Sequence, residues 1–309
     1  MILVTGGAGF IGSNLIRGLN ARGVSSIFVV DNLERGDKFR NLVGARIADY
    51  VDKEDFVGMC TRHDAVLGRI EAIFHQGACS DTTVHDGRYM MRNNFEASKR
   101  VLALAERLRV PLIYASSAAV YGGSNTFKEE PAHEAPLNVY GYSKLLFDDV
   151  VRRGTHVPTV GLRYFNVYGP REGHKGVMAS VAYHLHNQLR ATGEVRLFGE
   201  HDGYPAGGQR RDFVYIDDVV AVNLHFLDHP QTAIVNVGTG AARTFDALAS
   251  AVLGFHGRGT RTFVPFPDHL KGHYQSFTQA DLTGLRATGY AASFVPIEEG
   301  VPRYLATLA

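Results

Sequence analysis

The first twelve residues constrain the fold more than any other stretch of this chain. Ile2-Leu3-Val4-Thr5 is an apolar run, and Gly6-Gly7-Ala8-Gly9-Phe10-Ile11-Gly12 follows it without a break. Leu15, Ile16 and Leu19 then recur at helical spacing up to Gly23, a suitable helix stop. Strand, glycine turn and helix in that order form a dinucleotide cradle. Gly6 permits the tight turn, Gly9 lets backbone N–H groups approach a pyrophosphate, and Gly12 lets helix and strand pack closely. Val29-Val30-Asp31 closes a second apolar run. Asp31 lies about twenty residues past the last glycine, where an acid can hold an adenosine ribose hydroxyl. The pattern calls for a nicotinamide-type cofactor.

The first half continues to alternate strand and helix signals. Strands are expected at 2–5, 27–31, 46–49, 71–75, 111–116 and 159–163, with helices near 11–22, 53–62, 88–108 and 141–153. That alternation implies an α/β fold, a Rossmann-type doubly wound parallel sheet covered on both faces. After Arg163 the pattern loosens, and 170–211 is richer in Gly, His and Arg. Strand signals return at 213–216 and 234–237. We therefore expect residues 1–168 plus 212–240 to form the dinucleotide-binding domain, and 169–211 plus 241–309 a smaller substrate-binding lobe. A ligand would lie between them, at the carboxyl ends of the strands.

A formal net charge of +1 supplies no field for nucleic acid or an anionic membrane, so an anionic ligand must be held by local Arg and Lys. Two cysteines, Cys60 and Cys79, make no disulfide framework, and no apolar run is long enough to span a bilayer. A cytoplasmic protein is expected. His184 and His186 have no Cys or carboxylate partners at ligand spacing, so no metal is expected.

Tyr140-Gly141-Tyr142-Ser143-Lys144 carries the chemistry. Tyr140 and Lys144 are four apart and share one helix face. A phenol titrates near ~10, and bringing it to 7 takes about 4 kcal/mol of preferential stabilisation of the phenolate. A neighbouring ammonium and a cationic nicotinamide ring can supply it, making Tyr140 a general base toward an alcohol. Upstream, the 111–116 strand runs into Ser116-Ser117-Ala118-Ala119, where a hydroxyl can meet the substrate oxygen.

These stretches, with Ser116–Gly122 and Arg211-Asp212-Phe213-Val214-Tyr215, resemble the extended short-chain dehydrogenase/reductases that modify nucleotide sugars. The resemblance spans essentially the whole chain. Arg163–Gly176, Gln76–Ser80 and Lys271–Gln275 are most similar to the branch that inverts C6 of an ADP-linked heptose. It implies oxidation of the C6 alcohol to a ketone and return of the same hydride to the opposite face. It implies Tyr140 and Lys175 as the two acid/base residues, and Ser117, four before Tyr121, as the substrate-facing serine. Lys144 would hold the cofactor ribose and lower the Tyr140 pKa.

By the same resemblance Gly6, Gly9, Phe10, Ile11 and Gly12 hold the pyrophosphate, and Asp31 and Asn32 meet the adenosine ribose. Lys38 and Lys53 reach phosphate, while Gln76, Gly77, Ala78, Cys79, Ser80, Asn93, Val167 and Lys175 line the cofactor. Asn166, Val177, His184, Phe198, Gly199, Glu200, His201, Arg211 and Tyr274 face the nucleotide sugar. An acid at position 31 favours NAD by repelling a 2′-phosphate. Epimerases of this branch nevertheless use NADP, and Lys38 can offset the repulsion, so NADP is expected, with NAD second. The resemblance also implies a homo-oligomer, a pentamer, supplying lipopolysaccharide heptose. The alternatives are a UDP-hexose 4-epimerase and a non-catalytic dinucleotide-sensing protein. Two departures from the branch are a longer, glycine-rich stretch at 198–209 and Val177, where the branch has a small hydroxyl residue.

Overall fold

The computed structural model describes residues 1–268, 271 and 274–308. Strands β1 (Ile2–Thr5), β2 (Ile27–Asp31), β3 (Asp49–Asp52), β4 (Ala72–His75), β5 (Leu112–Ser117) and β6 (Thr159–Tyr164) enter one sheet. Strands β7 (Asn166–Tyr168), β8 (Glu194–Phe198), β9 (Arg210–Arg211) and β10 (Phe213–Tyr215) stand outside it, and β11 (Ala233–Val237) returns to it. The resulting seven-stranded sheet has the order β11-β6-β5-β4-β1-β2-β3, with every pairing parallel. Strand order reverses between β1 and β4, and at such a reversal an open α/β sheet receives its ligand, outside the carboxyl ends of the strands.

Ten helices are described: α1 (Phe10–Ala21), α2 (Lys53–Arg62), α3 (Gly87–Met90), α4 (Ala97–Leu108), α5 (Val139–Arg152), α6 (Val181–Thr192), α7 (Ile216–Asp228), α8 (Phe245–His256), α9 (Thr283–Ala287) and α10 (Ile297–Ala306). Side-chain alternation along the strands divides the core. Ile2 and Val4 join Leu15, Ile16 and Leu19 of α1 and Val219 and Val220 of α7 on one face. Leu3 joins Phe56 of α2, Val101 and Leu102 of α4 and Phe147 of α5 on the other. Period-two alternation between two apolar faces is what a doubly wound sheet demands.

The late segments add α6, α8 and α10 and two short sheets, β8 with β13 (Thr260–Val264) and β9 with β12 (Arg243–Thr244). Their apolar residues, among them Leu185, Leu197, Leu248 and Tyr304, continue the α1/α7 core without a break. Among the described residues no helix is long and apolar enough to cross a membrane.

Two expected elements are corrected. The third strand occupies 49–52, not 46–49, because Asn20 claims the earlier backbone. Its Oδ1 accepts the Arg46 N–H at 2.7 Å and its Nδ2 donates to the Arg46 carbonyl at 2.8 Å. Sheet pairing therefore begins at Asp49, opposite Phe28. The helix expected over 88–108 is interrupted by a π turn at Met91–Glu96, between α3 and α4. Such turns are frequent at functional sites.

Candidate functional site

The glycine loop closes onto the loop after β4. Gly6 sits at φ +69, and a Cβ there would stand 2.6 Å from the Gly77 nitrogen. Gly77 in turn donates its N–H to Thr5 Oγ1 at 3.2 Å. A Cβ at Gly12 would lie 2.2 Å from the Gly6 carbonyl oxygen, so only glycine lets α1 start this close to the turn. Gly9 caps α1 and no side chain hydrogen-bonds its first N–H groups. That uncapped end, facing a loop of glycines, is a fit for a pyrophosphate.

Asp31 ends β2 beside this loop, and its carboxylate is fully engaged. Oδ2 accepts the Ala8 N–H at 2.7 Å, and Oδ1 accepts the Asn32 N–H at 2.7 Å and Lys38 Nζ at 2.5 Å. Lys38 also donates to the Asn32 carbonyl and side-chain oxygens. Lys53 stands farther out, 3.7 Å from Glu34 and 3.5 Å from Asn93 Oδ1.

Helix α5 starts where Asn138 accepts the Gly141 N–H at 2.8 Å, a cap placed two residues before Tyr140. Tyr140 is hydrogen-bonded to Ser117, while Ser116 turns the other way and donates to Asp148 at 3.0 Å. Burial pushes the Tyr140 phenol up from its ordinary value; the Ser117 bond opposes this and the Cys79 thiol adds to it. A phenol raised in this way favours its neutral, proton-bearing form. Lys144, one turn along α5, donates from its ammonium to the Ala115 carbonyl at 2.8 Å, and burial brings its pKa down to about 8.

The second acid/base candidate comes from the segment that follows β7. Lys175 lies with Nζ 5.3 Å from the centre of the Phe10 ring, and burial lowers its pKa against the pull of Glu172. Three groups place its loop. Asn14 donates to the Phe10 and Pro170 carbonyls and accepts from Arg171 at 2.7 Å. Asn41 donates to the Ala8 carbonyl at 2.9 Å and the Arg171 carbonyl at 3.2 Å. Glu172, fully buried, accepts from the Ser180 N–H and hydroxyl at the start of α6.

Sequence reasoning missed Asn14, Asn41 and Asn94. Asn94, rather than Asn93, is the buried residue: its Oδ1 accepts the Cys79 N–H at 2.8 Å, and its Nδ2 donates to the Cys79 carbonyl and to Ser143. Ser143 donates to the Tyr140 carbonyl at 2.7 Å, so the π turn ties the 76–80 loop to α5. Asn14, an amide buried in α1 one turn after Phe10, was the visible signal of such a role. Gln76 meets Asn223 and Tyr164, another contact no local pattern shows.

The candidate sugar-nucleotide residues divide. Phe198, His201, Arg211 and Tyr274 cluster around Phe266, which the sequence did not single out. His201 stacks on Phe266 at 3.6 Å between centroids and 12° between planes. Tyr274 packs edge-on to Phe266 and Phe198, and the buried Arg211 guanidinium lies 4.7 Å from the Tyr274 ring centre. Gly199 accepts from Gln209 Nε2, and Glu200 is exposed. Asn166 and Val167 sit on β7, paired with β10. Val177 is 80% exposed, and its carbonyl is 3.3 Å from His184 Nε2. Gly272 and His273 lie outside the described residues. No group of three or more His, Cys, Asp or Glu able to hold a metal occurs among the described residues.

Comparison with known proteins agrees with this geometry. A model of the NAD dependent epimerase/dehydratase family matches residues 2–238. The chain belongs to this family. An ADP-L-glycero-D-manno-heptose-6-epimerase of Alkalilimnicola ehrlichii is 58% identical over the whole of this chain and 98% of its own length. The crystal structure of the Helicobacter pylori ADP-L-glycero-D-manno-heptose-6-epimerase superposes with a TM-score of 0.85 at 32% identity, covering 99% of this chain and 95% of that one. The UDP-glucose 4-epimerase of Thermotoga maritima, solved with UDP-glucose, gives 0.84 at 29% identity, covering 99% of both chains. Membership in the NAD dependent epimerase/dehydratase family brings a nicotinamide dinucleotide as cofactor, and the uncapped α1 and its glycine loop are the residues that fit it.

Proposed function

We propose that this protein interconverts ADP-D-glycero-D-manno-heptose and ADP-L-glycero-D-manno-heptose by transient oxidation and re-reduction at C6. The observation that supports the reading is Lys175 over the Phe10 ring, beside the glycine loop, a second proton-carrying group in addition to Tyr140 with its Ser117 partner. Inversion at one carbon requires the ketone to turn in the site, and its oxygen need not return to the same acid/base group. The relative of 58% identity bearing that activity in its name supports the same assignment.

The bound dinucleotide supplies the hydride acceptor and donor. Tyr140 takes the C6 hydroxyl proton in one orientation, with Ser117 fixing the oxygen beside it. Lys175 takes or returns the proton in the other. Lys144 contributes positive charge beneath Tyr140, favouring phenolate when the site is loaded. Arg211, buried and lowered by desolvation, faces the diphosphate, and its pairing with Tyr274 holds its plane. Phe198, His201 and Phe266 offer flat surfaces to the base. We assign NADP as the cofactor, because the Lys38 ammonium cancels the Asp31 charge that would repel a 2′-phosphate. A cytoplasmic homopentamer supplying lipopolysaccharide heptose belongs to the same reading and rests on the resemblance alone.

Purified protein incubated with each sugar nucleotide tests the assignment. Conversion of the ADP-heptose with deuterium at C6 retained is expected, and Lys175→Met should abolish most of it. Turnover of UDP-galactose but not ADP-heptose, or loss of the deuterium to solvent, would overturn it.

A further inference from the structure

Tyr140, Lys144 and Asp148 stand four residues apart, so α5 presents one of them per turn to the carboxyl end of β5. Each turn makes its own bond to that strand. The Tyr140 hydroxyl meets Ser117, Lys144 Nζ donates to the Ala115 carbonyl, and the Asp148 carboxylate accepts from the Tyr114 hydroxyl at 2.8 Å and Ser116 at 3.0 Å. The third rung is the charged one. Asp148 and Arg163 are both 0% exposed, and Arg163 Nε and Nη2 reach Asp148 Oδ2 at 2.9 and 2.8 Å. On its other side Arg163 is held by Glu134, which also pairs with Arg152, and its guanidinium lies 5.0 Å from the Tyr121 ring centre.

We propose that Asp148 is a positioning residue: its carboxylate is the counter-charge of the Lys144 ammonium and, through Tyr114 and Ser116, the clamp that sets α5 in register against β5. The groups facing this pair are few. From β5 come Tyr114 and Ser116, from β6 Arg163, from the loop after β4 Cys79, and from the end of β4 His75, which burial keeps neutral. Burial pulls the Lys144 proton off, and Asp148 is the larger of the two influences holding it on. A fully buried carboxylate is costly unless each lone pair is occupied, and here two hydroxyls and a guanidinium occupy them. The arrangement keeps a charge fixed one turn below the lysine without touching the site itself.

The test reads Lys144 directly and needs no substrate, so its failure is distinct from failure of the assigned reaction. The chain has only seven lysines, so a protein labelled with carbon-13 at lysine Cε gives a countable NMR spectrum, Lys144 being identified by its loss in Lys144→Arg. In the intact protein Lys144 should titrate at about 8. Asp148→Asn should lower the midpoint by about one unit. Ser116→Ala and Tyr114→Phe, which remove hydroxyls but no charge, should leave it in place. Asp148→Asn/Arg163→Met leaves no orphaned charge, covers the case in which the single variant does not fold, and must still show a fall, smaller than that of Asp148→Asn because a positive charge leaves with the negative one. An unmoved Lys144 midpoint in either folded Asp148 variant refutes the proposal. In turnover the basic limb should move to lower pH in the Asp148 variants, whereas a purely structural defect would depress activity equally at every pH.

Discussion

Two glycines of α1 should answer oppositely to the same one-carbon change. A Cβ at Gly12 would stand 2.2 Å from the Gly6 carbonyl oxygen, 2.8 Å from its carbon and 2.9 Å from Gly7 Cα. All three are backbone atoms of the dinucleotide turn, and ordinary contact demands a retreat of about 1 Å. A Cβ at Gly18 would stand 2.5 Å from Val220 Cγ1 and 3.3 Å from Leu224 Cδ1, side-chain ends on α7 that can give way. Both substitutions gain about 1 kcal/mol of helix propensity. Gly18→Ala should therefore cost at most about 2 kcal/mol of stability, the overpacking less that gain, and leave dinucleotide affinity within about twofold. Gly12→Ala moves the turn away from the first N–H groups of α1. Losing one or two charge-assisted hydrogen bonds should cost about 3 kcal/mol, a hundredfold in dinucleotide affinity. Fluorescence titration with reduced dinucleotide and thermal melts of both variants measure the two effects. Full affinity in Gly12→Ala, or an equal loss in Gly18→Ala, would refute the reasoning.

Tyr140→Phe should keep the fold and hold dinucleotide within about twofold while losing about 10²–10⁴ in turnover, because it deletes one hydroxyl from the Ser117 pair; steady-state kinetics with the ADP-heptose decide it. Lys38→Met should lower the ratio of NADP to NAD affinity at least about tenfold by leaving Asp31 uncompensated, and a ratio that rises would dismiss the Lys38 argument. His75, buried between Thr5 and Ser98, has its pKa depressed to about 3 by desolvation, so its neutral form contributes stability that is complete above the unfolded value of 6.5 and is lost as pH falls toward 3. At pH 4.5 the loss is about 3 kcal/mol, and urea melts should show it shrinking in His75→Gln.

Local sequence was informative where a rule is local. The glycine spacing specified the turn after β1, the alternation of strand and helix signals specified two covered faces, and the four-residue interval specified that Tyr140 and Lys144 share a face. These follow from backbone sterics and the periods of strand and helix, which act over a few residues. The third strand was misplaced by three residues because the bonds that decide it come from Asn20, a helix away. Asn94 did not stand out beside Asn93 because the π turn that buries it fully and leaves its neighbour half-buried has no signature in the residue types alone.

The sequence by itself determined the cradle, the parallel sheet and the helical pairing of tyrosine with lysine, since each depends on residues close together in the chain. Only the tertiary structure decided that Lys175 lies over Phe10, that His201 stacks on Phe266, and that Asp148 of α5 meets Arg163 of β6. Each of those pairs joins segments brought together by the packing of different elements. Burial is what gives them their consequences, because a charge removed from water takes its proton affinity from whatever the fold sets beside it.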